Sequence, residues 1–300
     1  MEPTFRPGTL ADAPAVYEVF AQTLADLDRR RGTPEADNTW ADPAAVAATW
    51  ERRGTLFEHL TRSAERFWVA ERQGQIVGYA RATLRDGVRN LTDFFVLPAH
   101  QGVGRRLLAR AFPAGGARRR VVLATSAPTA LACYLKAGLV PRVPLYPLTA
   151  PPRPVDVATG LAFEPLAPGP AALAELRNID RNLLDFARDA DHEFLLGDRQ
   201  GTLYRRSGRA VGYGYDGKGT GPIALLEASD FPAVLAHAEA GAAARGEQRF
   251  GVNVPLVNRA ALDYLLARGF QLADVTNFLM SDEPFGDFER YLFTSPPFFV

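Results

Sequence analysis

Gly74-Gln-Ile-Val-Gly-Tyr79 in the first half of the chain is matched by Gly208-Arg-Ala-Val-Gly-Tyr213 in the second half. Each stretch has the pattern of a hairpin strand, and the same order of strand, helix, strand and helix follows both. The last helices of the two series end in Cys133-Tyr-Leu-Lys-Ala-Gly-Leu139 and Tyr264-Leu-Leu-Ala-Arg-Gly-Phe270. A repeat of this length indicates two copies of one domain.

The composition excludes several classes of protein. The 300 residues include 34 Lys and Arg and 34 Asp and Glu, so no net field favours nucleic acid or an anionic membrane. Cys133 is the only cysteine, which rules out an internal disulfide and favours a reducing compartment. No apolar stretch approaches the roughly 20 residues that span a bilayer, and the N-terminus lacks a signal-peptide pattern. We expect a cytoplasmic protein with neither a nucleic-acid nor a membrane partner.

Prolines mark the expected domain boundary. Val140–Pro154 contains six of them, which favours extended edge or linker backbone over helix. We place the boundary near 150–156, which gives a first domain over 1–152 and a second over 153–300. Each is large enough to bury a core of its own.

In the second copy, a helix is expected over Ala171–Arg188, and the apolar end Tyr291–Val300 is expected to dock as a last strand on one of the sheets. Gly212-Tyr-Gly-Tyr-Asp-Gly217 matches the dinucleotide pattern G-x-G-x-x-G. That pattern works only where a strand turns into a helix. Here Asp216-Gly217 lies between two strand-like runs, which predicts a hairpin turn instead.

The residues with the clearest chemistry lie between Asp93 and Phe112. The apolar strand Asp93-Phe-Phe-Val-Leu-Pro98 is followed by the glycine turn Gln101-Gly-Val-Gly104 and at once by an amphipathic helix. Glycines let backbone N–H groups converge on an anion, and the helix dipole adds positive charge at that point. The turn is therefore either a phosphate or pyrophosphate site or a tight connection without a ligand.

This order of elements, closed by Tyr134 four residues before Gly138, resembles the GNAT superfamily of acyl-CoA-dependent N-acetyltransferases. The resemblance implies an α/β fold (α+β by some schemes) of two GNAT-like domains, each a mixed, mostly antiparallel central sheet flanked by helices. It implies acetyl-CoA as co-substrate, with the backbone at Phe95 and Val96 pairing with the pantetheine arm. It further implies that Tyr134 protonates the departing thiolate.

The turn departs from the family pattern. Gln101 and Gly104 hold the family's first and fourth positions, but the sixth is Arg106 where the family has Gly or Ala. The turn is interpreted as two residues shorter, which removes up to two N–H donors, each worth about 1.5–3 kcal/mol toward a phosphate. The expected coenzyme-binding residues are Phe95, Val96, Gln101, Gly102, Val103, Gly104, Arg105 and Arg106, with the two arginines reaching the phosphates directly.

Transfer to an amine also needs a base, because an alkylamine is protonated at neutral pH. Asp93 is the candidate, since its carboxylate projects from the strand that would carry the thioester. Alternatively it is a strand-edge charge or a group that orients the acceptor. Tyr134 is either the acid or a half-buried packing residue. The four histidines are scattered without metal-ligand spacing, so no metal is expected.

The second copy lacks these features. Leu265 occupies the position of Tyr134, with Tyr264 displaced by one, and Ala228-Ser-Asp-Phe-Pro232 replaces the glycine turn. We expect this copy to be a scaffold, a wall of the substrate site or a dimer surface; a homodimer is possible. The acceptor is an amine of a small molecule or peptide. Two alternatives stay open: a non-catalytic acyl-CoA-binding or interaction protein, and an enzyme that resembles mycothiol synthase, active in its second domain.

Overall fold

A computed structural model describes residues 2–100 and 102–298. The chain divides into two compact units, one made of residues up to Leu84 together with Arg89–Arg120, the other of Arg85–Val88 together with the chain from Val121 onward. The boundary near 150–156 concerns the sequence repeat and stays a prediction.

The first unit is built from four strands and three helices: β1 (Thr4–Pro7), α1 (Ala13–Arg30), α2 (Pro43–Arg62), β2 (Ala64–Arg72), β3 (Gln75–Arg85), β4 (Val88–Val96) and α3 (Val103–Ala111). The strands lie in the order β1-β2-β3-β4, and β2 is antiparallel to both β1 and β3. Helix α2 begins at Pro43 because the Asp42 side chain accepts from the Ala44 N–H and proline is well suited to the first turn.

Aromatic side chains fill the space between the helices and the sheet of the first unit. Phe57 of α2 is fully buried and meets Tyr17 of α1 edge-on at 5.1 Å between ring centroids. Phe20 of α1 meets Phe95 of β4 in the same way at 5.0 Å. Such pairs contribute about 0.5–1.5 kcal/mol beyond their area burial. They fix the end of β4 beneath α1.

The second unit contains the remaining elements, with β5 beginning at the border of the two units: β5 (Arg119–Thr125), α4 (Pro128–Lys136), β6 (Val140–Ala150), β7 (Ala162–Pro165), α5 (Pro170–Leu184), α6 (Asp189–Asp198), β8 (Gln200–Arg206), β9 (Arg209–Asp216), β10 (Ile223–Leu225), α7 (Phe231–Ala244), β11 (Phe250–Pro255), α8 (Arg259–Ala267), β12 (Gln271–Leu272), β13 (Asn277–Ser281) and β14 (Tyr291–Leu292). Two series of paired strands run through it, β5-β13-β6-β11 and β14-β10-β9-β8-β7.

The proline-rich segment is extended, as predicted, but it is not an edge. Strand β6 pairs with β13 on one side and with β11 on the other. Prolines lack an N–H but keep their carbonyl groups, and those of Pro144 and Pro147 accept hydrogen bonds from the N–H groups of Leu256 and Ala273. An internal position is therefore possible because the partners supply the donors.

The helix predicted near Ala171–Arg188 is confirmed as far as Leu184 and is wrong only for its last four residues. Helix α5 ends at Leu184, and Asp185 takes a left-handed conformation with φ 65° before α6 starts. Arg188 then turns back to bind Asp180 of α5 at 2.9 Å. This buried ion pair favours the turn between the helices over continued helix.

Two other predictions for this unit are confirmed. Strand β14 of the apolar tail pairs with β10, so the tail is a last strand. The stretch around Gly212 and Gly214 lies inside β9, which is antiparallel to β10 and is not a strand-to-helix turn. Within the described residues, no helix is both long and apolar enough to cross a membrane.

Candidate active site

Strand β4 leads into α3 through an open glycine turn. Gly102 is the residue before the helix and has a left-handed conformation, with φ 86° and ψ −20°. A Cβ added to Gly102 would meet nothing within 4 Å. The first N–H groups of a helix have no acceptor within it and carry partial positive charge. The turn therefore presents donors and positive potential to open space, which suits an anion. Gln101 lies outside the described residues.

The start of α3 is held tightly on the sheet. Val103 is 1% exposed, and a Cβ on Gly104 would lie 3.1 Å from the ring of Phe94. On the neighbouring strand, a Cβ on Gly78 would lie 3.0 Å from Val96. Small residues at both positions let the helix and β3 close on the end of β4. The position of the turn is thus set by close packing.

The two arginines after Gly104 differ in their surroundings. The guanidinium of Arg106 lies 4.4 Å from the ring centroid of Phe5, and Arg110 lies 4.6 Å from the same ring. Arg105 is exposed, and its side chain has no hydrogen bond or ion pair within the part of the chain that the structure describes. Of the two predicted phosphate ligands, only Arg105 has its cation uncommitted, because Arg106 is stacked on β1.

Phe95 and Val96 are half-buried at the end of β4. The ring of Phe95 stacks on Tyr79 with 5.8 Å between centroids and meets Phe20 on its other side. This packing fixes the strand whose backbone is expected to pair with pantetheine. That pairing stays a prediction.

Asp93 lies in a buried ion pair. Its two oxygens accept from the Arg81 Nε at 3.0 and 3.1 Å, and both side chains are fully buried. Arg81 also donates to the carbonyl of Phe57 at 2.8 Å and to the hydroxyl of Thr61 at 2.6 Å. A base must have a free lone pair facing its substrate. The predicted base role of Asp93 would require this pair to open.

Tyr79 lies beside the pair and is 0% exposed. Burial, with the charge of the Asp93 carboxylate as a second cause, raises the pKa of Tyr79 well above its usual range. Its hydroxyl therefore stays neutral.

Tyr134 belongs to the second unit, whereas Asp93 and the turn residues belong to the first. It lies in α4 and is 5% exposed. Its carbonyl accepts the Leu139 N–H at 3.0 Å, which ends the helix around the left-handed Gly138. The helix end fixes the backbone of Tyr134, and its acid role stays a prediction.

The second copy has a carboxylate where the first has its open turn. Ala228–Asp230 form a short 3-10 turn that runs directly into α7, with Asp230 at its N-terminus. Asp230 is 6% exposed and pairs with Arg206 at 2.5 Å. Leu265 is fully buried in the core. An internal anion already balances this helix end. In the part of the chain that the structure describes, no group of three or more His, Cys, Asp or Glu could hold a metal ion.

Comparison with known proteins agrees with this architecture. Residues 30–139 match the model of the Acetyltransferase (GNAT) family. This part of the chain is therefore similar to the GNAT acetyltransferases. No curated protein matches the sequence significantly.

Solved structures match over both halves of the chain. A candidate acetyltransferase from Pyrococcus horikoshii is similar with a TM-score of 0.71 and 14% identity, covering 96% of this chain and 92% of its own. A tandem GNAT protein from the clavulanic acid biosynthesis pathway is similar with a TM-score of 0.59 and 13% identity, and the match covers 94% of this chain and 99% of that protein. A GCN5-related N-acetyltransferase from Sphaerobacter thermophilus is similar with a TM-score of 0.56 and 17% identity, and the match covers 95% of this chain and 97% of that protein. At such identities the likeness shows a shared fold, that of tandem GNAT proteins.

Sequence reasoning missed Arg81, the partner of Asp93. The signal was present, because Arg81 is the one charge in the otherwise apolar run Ile76–Leu84. A lone arginine in a buried strand requires a carboxylate within reach. Asp93, on the next strand, was available for that role.

Proposed function

We propose that the chain is an N-acetyltransferase that transfers acetyl from acetyl-CoA to a primary amine of a small molecule or peptide. The amine attacks directly in a ternary complex, without a covalent enzyme intermediate. The coenzyme binds the first copy, and the reaction takes place in the cytoplasm.

The observation that carries this proposal is the open, left-handed turn at Gly102 before α3. The residues present fit a pyrophosphate, because the turn leaves room and the helix start offers unpaired N–H groups. The N–H groups of Val103, Gly104 and Arg105 would hold the phosphates, with the Arg105 guanidinium beside them. Bound coenzyme supplies an acetyl group activated as a thioester.

Two protons must move in this reaction. Tyr134 donates one to the departing thiolate, and a base removes one from the ammonium form of the acceptor. Asp93 is the carboxylate on β4 for that step, provided that its pair with Arg81 opens. If the pair stays closed, the amine enters already neutral, and the rate rises with pH toward the pKa of the amine itself.

A second candidate is a non-catalytic acyl-CoA-binding or interaction protein. The observation in its favour is the same closed ion pair, in which the Asp93 carboxylate is fully buried and out of reach of a substrate. Coenzyme would then bind at the turn around Gly102 without transfer.

The test is release of the coenzyme thiol from acetyl-CoA during incubation with a panel of primary amines, including polyamines, amino acids and peptide N-termini. Amine-dependent release supports the enzyme. Coenzyme binding without release from any amine supports the second candidate. Absence of binding at millimolar coenzyme contradicts both.

A further inference from the structure

The two copies have equivalent strand ends, which allows their edges to be compared. The Leu97 N–H donates to the Val77 carbonyl at 2.9 Å, and the Leu226 N–H donates to the Val211 carbonyl at 2.8 Å. Val77 and Val211 hold the same place in the repeated stretch. Strand β10 therefore corresponds to the end of β4, and Ala224 and Leu225 correspond to Phe95 and Val96.

Both edges of β10 are occupied by the protein's own backbone. On one side Ala224 pairs with Tyr213 of β9, and on the other it pairs with Tyr291 of β14. The tail continues as Phe293, whose N–H donates to the Asn253 carbonyl of β11 at 3.1 Å. The segment from Tyr291 to Phe293 thus lies between β10 and β11, and its residues are at most 1% exposed.

Three polar side chains hold the tail in this position. Arg199 donates to the hydroxyl of Thr294 at 3.0 Å and to the carbonyl of Ser295 at 3.1 Å. The Asn253 amide donates to the Thr294 carbonyl at 2.7 Å. The Asn258 amide donates to the Tyr291 carbonyl at 3.3 Å. These donors are buried, so a loose tail would leave them unsatisfied.

Glycines opposite the tail permit its close approach. A Cβ on Gly221 would lie 2.6 Å from the Phe293 carbonyl oxygen, and one on Gly219 would overlap the Ser295 carbonyl oxygen. Gly221 also has a φ of 82°, which L side chains rarely adopt. The loop that contains Gly219 and Gly221 therefore packs directly against the backbone of the tail.

We propose that the tail Tyr291–Ser295 is a built-in strand. It fills the edge of β10 that corresponds to the edge of β4 where the coenzyme is expected to pair. This inference rests on the proposed function, which places pantetheine against Phe95 and Val96. It means that one chain binds one acyl-CoA, in the first copy. The second copy is closed to coenzyme by its own C-terminal segment and is already complete without a ligand.

The experiment is amide hydrogen exchange of the full chain, with and without acetyl-CoA, together with titration calorimetry. We expect the amides of Ile223–Leu225 and Leu292–Thr294 to exchange at least about 100-fold more slowly than in an unstructured peptide. Acetyl-CoA should leave these rates unchanged, slow exchange around Val96 and Val103, and bind with a stoichiometry of one.

Gly221→Ala tests the fit of the tail, with Gly217→Ala as the matched control. Both glycines have positive φ, but a Cβ on Gly217 would meet only the Gln200 nitrogen at 3.9 Å. Gly221→Ala should speed exchange in the tail and in β10 about tenfold or more, while Gly217→Ala should not.

Different results would overturn the inference about the tail and the proposed function. A stoichiometry of two, or slower exchange in Ile223–Leu225 on adding acetyl-CoA, would overturn the inference. So would unprotected tail amides in the wild type, or equal effects of the two glycine variants. Protected tail amides with no coenzyme binding would overturn the proposed function while the tail still fills the edge.

Discussion

Replacing Arg81 by Met tests whether the buried ion pair holds the first unit together. The substitution keeps a long, flexible side chain in place but removes the charge. It leaves the Asp93 carboxylate fully buried, with the hydroxyl of Thr92 at 2.9 Å as its remaining donor. The carbonyl of Phe57 also loses a donor.

The surroundings of Arg81 determine how much stability the substitution removes. Removing one partner of a buried pair costs about 3–5 kcal/mol, because the other charge stays buried without compensation. The guanidinium of Arg81 also lies over the ring of Phe57 at 5.1 Å and over that of Phe67 at 5.6 Å. We therefore expect Arg81→Met to lower the free energy of unfolding toward the upper end of that range.

Arg62→Met is the matched control. Arg62 pairs with Glu58 on the surface of α2, where the two side chains are 60% and 42% exposed. Such pairs are worth about 0.3–0.5 kcal/mol. The double variant Arg81→Met/Asp93→Leu should recover most of the loss, because no buried charge remains.

Urea unfolding followed by tryptophan fluorescence is the assay. All three tryptophans, Trp40, Trp50 and Trp68, belong to the first unit, so the signal reports the part of the chain that contains the pair. A loss below about 1 kcal/mol for Arg81→Met, or a double variant as unstable as the single one, would show that the buried pair does not hold the first unit together.

Three further predictions concern other groups. Tyr134→Phe should lower turnover about 100-fold or more without changing coenzyme affinity, and an unchanged rate would remove Tyr134 from the mechanism. Hydrogen bonds from Arg6 lower the pKa of Asp12 from 3.8 to about 2, so its contribution to stability is complete above about pH 4 and is lost as pH falls toward 2. Asp12→Asn should therefore remove this pH dependence of the free energy of unfolding in an acid titration. The difference should be less than about 2 kcal/mol because the partner side chain is partly exposed, and an unchanged acid profile would contradict this. Asp180→Ala removes the carboxylate that pairs with the buried Arg188, and it should lower the free energy of unfolding, followed by circular dichroism, by about 3–5 kcal/mol. A loss below about 1 kcal/mol would contradict this.

The elements of this fold were predictable from local patterns. The repeat around Gly74 and Gly208 predicted the two hairpins. The left-handed Gly102 was predictable because only glycine adopts that conformation without strain. These features depend on neighbouring residues and therefore appear in the sequence.

The features that were missed or wrongly predicted depend on contacts between separate elements. The position of β6 between β11 and β13 depends on hydrogen bonds from residues more than a hundred positions away. The break between α5 and α6 depends on the burial of Arg188 against Asp180. The pairing of Asp93 with Arg81 depends on the register of two strands. Periodicity and propensity contain no information on such partners.

Binding of the coenzyme at the turn before α3 can be tested by calorimetric titration of acetyl-CoA into two variants of Arg105. Arg105→Ala removes the charge but keeps the backbone N–H, whereas Arg105→Pro also removes that N–H. The position tolerates proline because the N–H groups of a first helical turn have no partner within the helix, and the preceding residue is glycine. We expect Arg105→Pro to bind acetyl-CoA at least about tenfold more weakly than Arg105→Ala, with unfolding temperatures of the free proteins alike. Equal affinities for the two variants would rule out the turn as the phosphate site.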